Sequence, residues 1–262
     1  MLGKLLKYEI KATARVFLPI YLVLIVFGII NRFMSFNSDS FSLPQGISLT
    51  LYIIILVGMF VASFIVMIQR FYKNLLSEEG YLMFTLPVKP WKHIISKLLV
   101  SAMWIVLSSV IAFVSIVIIA LQEVTLTEVF TALGMLWNTV HSALGASFYH
   151  FIAQMVVGFI VCLASGVLII YASIALGHLS NNHKTMASIG SFLAIYTAGQ
   201  IVASLVFFKP LISYNGPFSS YSYQLEEIPH NLIWGAIALS AVFATIYFII
   251  TNIILSKRLN LE

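Results

Sequence analysis

The stretch Ser77–Lys97, SEEGYLMFTLPVKPWKHIISK, interrupts a chain that is otherwise oily. Two adjacent glutamates and a glycine precede an apolar and aromatic run, Tyr81–Leu86. Two prolines and the bases Lys89, Lys92, His93 and Lys97 follow it. A merely solvated loop has no reason to expose Tyr81, Leu82, Met83, Phe84 and Leu86. The block reads as a short element that touches something, set between two long apolar segments.

Those flanking segments decide the fold class. The chain has 262 residues, 61% of them hydrophobic and 9% charged, with a mean hydropathy of +1.02. A soluble domain carries about a quarter charged residues, so this surface cannot be covered for water and its solvent is lipid. The net charge of +5 is therefore no nucleic-acid signal; what matters is where the bases sit relative to the spans. A lone cysteine, Cys162 in an apolar run, excludes a disulfide framework or a cysteine metal site within one chain.

Uncharged runs of span length recur along the sequence, and a spanning helix needs about 20 mainly apolar residues. They predict an all-α integral membrane protein with six transmembrane helices at 16–36, 47–69, 97–121, 151–178, 185–208 and 232–255. With the N-terminus in the cytosol, the inside collects Lys4, Lys7, Lys11, Arg15, Arg70, Lys73, Lys89, Lys92, Lys97, Lys184, Lys257 and Arg258. Only Arg32 and Lys209 fall outside. Both termini are thus expected in the cytoplasm. The cytoplasmic loop between the second and third spans is 70–97, and the external segments are 122–150 and 210–231. The region 130–150 is an alternative seventh span. Its Asn138, His141, Ser142, Ser147 and His150 favour an external amphipathic or re-entrant helix instead, as does the cost of moving Lys184, Lys257 and Arg258 outside.

The first fifteen residues, MLGKLLKYEIKATAR, have no signal-peptide cleavage site. At 100° per residue Lys4, Lys7, Lys11 and Arg15 share one face, and Leu2, Leu5, Leu6, Ile10, Thr13 and Phe17 the other. This predicts an amphipathic interfacial helix over 1–15, basic side toward lipid phosphates, with Pro19 turning the chain into the first span. Glu9 falls inside the apolar arc. It is either a tolerated position at the arc's edge or a contact with another part of the protein or with a partner.

Catalytic chemistry is sparse. Glu78-Glu79 invites comparison with the paired glutamates of membrane-embedded CAAX-type proteases, but the arginine those enzymes place four residues further on is Met83 here. Gly145-Ala146-Ser147-Phe148 lacks the second glycine of a rhomboid-like GxSG turn. His178 and His183 flank a short turn without carboxylates or cysteines nearby, which is weak as a metal site. No GxxxxGK[ST] phosphate loop is present. The chain is expected to be no enzyme, with no cofactor or metal of its own. Gln154 and Gln200 are the bulkiest polar groups inside the expected spans, either packing contacts or parts of a substrate path. Small residues at four-residue spacing, Ala187/Ser191 and Gly190/Ala194/Ala198, predict close helix packing. In the external segment after the fifth span, Tyr214, Tyr221 and Tyr223 suit an interfacial aromatic belt.

The architecture resembles an ABC-2-type transporter permease. More narrowly, MLGKLLKYEIKATARVFLPIYL followed by EEGYLMFTLPVKPWKHIISKLL is similar to permease subunits of Gram-positive bacteria. The resemblance implies a multi-pass protein of the bacterial plasma membrane, pairing with a second permease chain, identical or related. It also implies two copies of a separate ATP-binding subunit that carries ATP and magnesium. It makes 1–15 the elbow helix of a transmembrane domain over 16–262. Ser77–Leu86 becomes the coupling element that docks on the ATPase, with Glu78 and Glu79 as polar contacts and Tyr81, Leu82, Met83 and Phe84 inserting into a groove. Gly80 lets the backbone turn or approach closely. The function expected on this footing is export of amphipathic compounds such as antimicrobial peptides, drugs or lipids. The alternative is a non-transporting immunity or scaffold protein that binds an external peptide or a membrane partner.

Overall fold

The computed structural model describes residues 2–34, 43–76, 89–122, 124–180, 183–213 and 230–257, the side chains of 207–213 and 257 excepted. Among these residues every regular element is helical. The order is α1 (Leu2–Arg32), α2 (Leu43–Leu75), α3 (Pro90–Ala120), α4 (Leu126–Leu144), one 3-10 turn (Gly145–Ser147), α5 (Phe148–Gly177), α6 (Lys184–Ser213) and α7 (His230–Lys257). Six runs are long and apolar enough to cross a membrane: Leu2–Arg32, Leu43–Leu75, Pro90–Ala120, Leu126–Gly177, Lys184–Val206 and His230–Ser256. Each expected span overlaps one of them.

Residues 2–15 do not form a separate element. They are the first turns of α1, which continues through Pro19 to Arg32. Proline removes one intrahelical bond, a loss that helices in apolar surroundings absorb when neighbouring contacts hold them. Here the neighbour is α3. The buried stripe of α1, Glu9, Thr13, Phe17, Tyr21, Leu24, Gly28 and Asn31, runs past Pro19 without a gap. A 31-residue helix is about 46 Å long at 1.5 Å per residue, against roughly 30 Å of hydrocarbon.

The expected external segment 122–150 is largely helical, as α4 and the 3-10 turn. Gly145 in that turn has φ 49, the left-handed region that favours glycine. Helix α6 extends to Ser213, so 211–213 are helical rather than loop. The rest of the expected segment to 229 lies outside the described residues.

Two compact units divide the chain. One contains α1, α2 and α3, the other α5, α6 and α7; α4 is shared, its residues to Leu133 belonging to the first. In the first unit α1 and α3 run parallel and pack directly. A Cβ added at Gly28 would be in van der Waals contact with Ser115, and Phe17 stacks on Trp104 with ring centroids 4.5 Å apart. Helix α2 runs the other way: Tyr52 Oη meets Ser115 Oγ at 2.9 Å, and Ser63 Oγ meets Ser108 Oγ at 3.2 Å. In the second unit α5 is central, packed against both α6 and α7. Gly177 closes its backbone onto Ser188 at the start of α6, and Gly158 faces Ile237 of α7.

The small-residue prediction on α6 is half realised. Ala187, Ser188 and Ser191 lie on the partly buried face, while Gly190, Ala194 and Ala198 are exposed, with open space where a Gly190 side chain would stand.

Candidate functional site

Glu9 is the site's centre. It occupies the apolar stripe of α1, where a carboxylate survives only if it is paired. Lys97, two turns into α3, supplies the pair: Nζ donates to Glu9 Oε1 at 2.6 Å, and both side chains are nearly closed to solvent. Asn74 Nδ2, at the end of α2, donates to the same oxygen at 3.3 Å. Arg70 Nη1, one turn earlier on α2, stands 4.0 Å from Glu9 Oε2. The start of α1, the end of α2 and the start of α3 are thus tied to one carboxylate.

The knot continues inward along α1 and α3. Thr13 Oγ1 donates to the Glu9 carbonyl at 2.8 Å and accepts from Trp104 Nε1 at 2.7 Å. Tyr21 and Ser108 follow at 2.8 Å. Every bond joins residues more than eighty positions apart or caps such a bond, so this ladder fixes the register of α1 on α3. Beside it lies a cavity of about 20 Å³ between Glu9, Thr13, Ser63, Arg70, Ser101 and Trp104, room for a single water.

The local sequence explains the placement. Pro90 starts α3 at its first helical position, where its missing N–H costs nothing, after Lys89 in extended geometry. That start puts Lys97 and Trp104 seven residues apart on one face. Glu9 and Thr13, four apart on α1, meet them. Of this group only Glu9 was marked by the sequence. Lys97 and Arg70 read there as loop-flanking bases, and Asn74 carried no signal.

Lys4, Lys7, Lys11 and Arg15 are exposed, on the face of α1 opposite Glu9 and Thr13. Glu78, Glu79, Gly80, Tyr81, Leu82, Met83 and Phe84 lie outside the described residues. Gln154 and Gln200 are not brought together. Gln154 is 1% exposed and engaged within the second unit: its Nε2 donates to the His230 carbonyl at 3.0 Å and its Oε1 sits 2.8 Å from His230 Nδ1. Gln200 is exposed on α6. With the carboxamide oxygen facing Nδ1, that nitrogen carries the ring proton. Gln154→Leu leaves this N–H and its backbone partner unmatched, so a loss of about 1–3 kcal/mol in stability is expected; a melting curve in detergent measures it. No cluster of three or more metal-ligating side chains occurs among the described residues.

The fold and the knot define a class: an all-helical, multi-pass membrane protein with six candidate spans. No protein-family model, no curated protein and no solved structure matches the chain.

Proposed function

We propose that the chain is the membrane-spanning permease subunit of an ATP-driven ABC transporter. It exports amphipathic compounds, with antimicrobial peptides, drugs or lipids as the substrate class. A separate ATP-binding subunit, two copies per transporter and carrying ATP and magnesium, docks on 77–86, and a second permease chain completes the membrane part in the bacterial plasma membrane.

The observation that carries this reading is the knot around Glu9. Segment 77–88 joins the end of α2 to the start of α3, the two helix ends that Asn74, Arg70 and Lys97 tie to α1. A displacement applied to that segment enters α2 and α3, and the ion pair passes it to α1. A permease needs no catalytic group; it needs a dockable element and helix packings close in free energy. Tyr81–Leu86 supplies apolar anchors of the kind that dominate docking. Six crossings return the C-terminus to the side of the N-terminus, and the positive-inside count puts that side in the cytoplasm.

The test is co-purification with the products of neighbouring genes. The expected result is an ATP-binding-cassette subunit that co-elutes and hydrolyses ATP. Phe84→Asp or Gly80→Pro should weaken docking by roughly 2 kcal/mol or more, about 30-fold, with the membrane part still folded. Elution without an ATPase, or undiminished substrate-stimulated hydrolysis in both variants, sinks the reading.

A further inference from the structure

Helix α4 carries its own start and stop signals. Thr125 and Glu128 cap its first turn reciprocally: Glu128 Oε2 accepts from the Thr125 N–H at 2.8 Å, and Thr125 Oγ1 accepts from the Glu128 N–H at 3.3 Å. Gly145, with φ 49, ends it after Leu144. Between those signals every residue from 126 to 142 is exposed except the half-buried Val129.

The exposed surface is sorted by polarity. At 100° per residue Leu126, Phe130, Leu133, Leu136 and Trp137 fall within about 120° of arc, and all five side chains are exposed. Thr127, Thr131, Asn138, Thr139 and Ser142 occupy the opposite arc. Thr131, Thr139 and Ser142 turn their hydroxyls onto carbonyls of their own helix. Asn138, in mid-helix, has no side-chain hydrogen bond among the described residues. An unpaired carboxamide facing hydrocarbon is costly, so this side meets water and the helix does not cross the bilayer.

The corner with α5 says what meets the apolar side. Trp137 and His141 approach Phe148, the first residue of α5, edge-on with ring centroids 4.9 and 4.8 Å apart. Leu144, on the apolar arc, is buried there. Beyond that corner the two helices do not pack along each other. The stripe of α4 therefore leads into α5, whose Met155, Val156 and Phe159 are exposed in a run apolar enough to cross a membrane. The lipid that covers one covers the other.

We infer that α4 lies in the membrane–water interface, with its Leu126, Phe130, Leu133 and Trp137 stripe bound among phospholipid acyl chains just below the headgroups. This recognition asks for no anionic headgroup. Helices held by acidic lipid are basic on their polar face, whereas α4 has neither lysine nor arginine and one acid, Glu128. The inference is independent of the transporter reading, because it needs only a chain embedded in lipid.

The experiment uses the full chain with its lone cysteine removed, Cys162→Ser, in vesicles of phosphatidylcholine or of phosphatidylglycerol. Each position from 126 to 142 in turn receives one cysteine carrying a nitroxide. Oxygen, which partitions into acyl chains, and a nickel chelate, which stays in water, report the surroundings of each label. Oxygen contact should peak at 126, 130, 133 and 137, and nickel contact at 127, 131, 138 and 142, alike in both lipids. Phe130→Asp should shift the ratio of lipid-bound to water-exposed label at 137 by about tenfold toward water, and a melting curve verifies that the variant is folded. Exclusion of nickel all round the helix, which marks a span, overturns the inference. So does a stripe shielded from both reagents, which marks cover by protein, or nickel contact on every side. A pattern seen only in phosphatidylglycerol, or an unchanged label at 137 in folded Phe130→Asp, overturns it as well.

Discussion

Glu9→Ala is expected to lower stability by about 3–5 kcal/mol, the range for removing one partner of a buried ion pair. The size follows from what is left behind. Lys97 is 4% exposed and loses the carboxylate 2.6 Å from its Nζ. Asn74 loses its acceptor, and Arg70 loses a carboxylate oxygen 4.0 Å away. Glu9→Gln retains an acceptor without the charge, so it should fall between alanine and wild type. Replacing both partners, Glu9→Leu with Lys97→Met, should recover most of the loss, since an apolar pair of similar volume avoids desolvating two ions. Thermal melts in detergent give all four corners of the cycle. If Glu9→Ala melts within about 1 kcal/mol of wild type, the carboxylate is not the joint described here.

The same substitution separates structure from the proposed transport. If the knot passes motion from 77–88 to α1, the double replacement should keep the fold while weakening the coupling of ATP hydrolysis to substrate. Two packings differing by a few kcal/mol are enough for a switch, and the ion pair contributes on that scale.

The span pattern was legible because its cause is local: uncharged runs of span length have no other solution in lipid. Helix ends were less legible. Leu2–Arg15 was legible as a helix from its amphipathic spacing, but not as one continuous helix with the first span. Pro90–Ser96 extends α3 ahead of the apolar run, because backbone hydrogen bonding continues past the apolar core into polar turns. Glu9 was visible as an anomaly in the apolar arc, but its partners were not. Lys97 lies 88 residues away, and nothing in periodicity says which basic residue among those flanking a loop turns inward. The reverse holds on α6. Gly190, Ala194 and Ala198 match the spacing of a packed face, yet α5 meets α6 at Ser188, on the face where Ala187 and Ser191 are also partly buried. Spacing identifies a face that permits close approach; the partner chooses which face is used.

That choice gives the second large effect. Gly177→Val is expected to cost about 3 kcal/mol or more, at the upper end for overpacking. Gly177 ends α5 without positive φ, so its requirement is space and not backbone freedom. A Cβ built there overlaps the backbone nitrogen and Cα of Ser188 as well as its hydroxyl. Rotating a side chain away relieves only the hydroxyl; the backbone clash is removed only by lifting the start of α6 from the end of α5. Alanine should therefore already be strongly destabilising, and Ser188→Gly should rescue it only in part. Gly190→Ala is the control. Open space surrounds that position, and alanine is the better helix former by about 1 kcal/mol, so this variant should melt at or above wild type. Equal melting of Gly177→Ala and Gly190→Ala would mean that α5 and α6 do not meet at Gly177. A loss confined to Gly177 fixes the α5–α6 crossing at that residue, and with it the face of α6 that is left for lipid or for another chain.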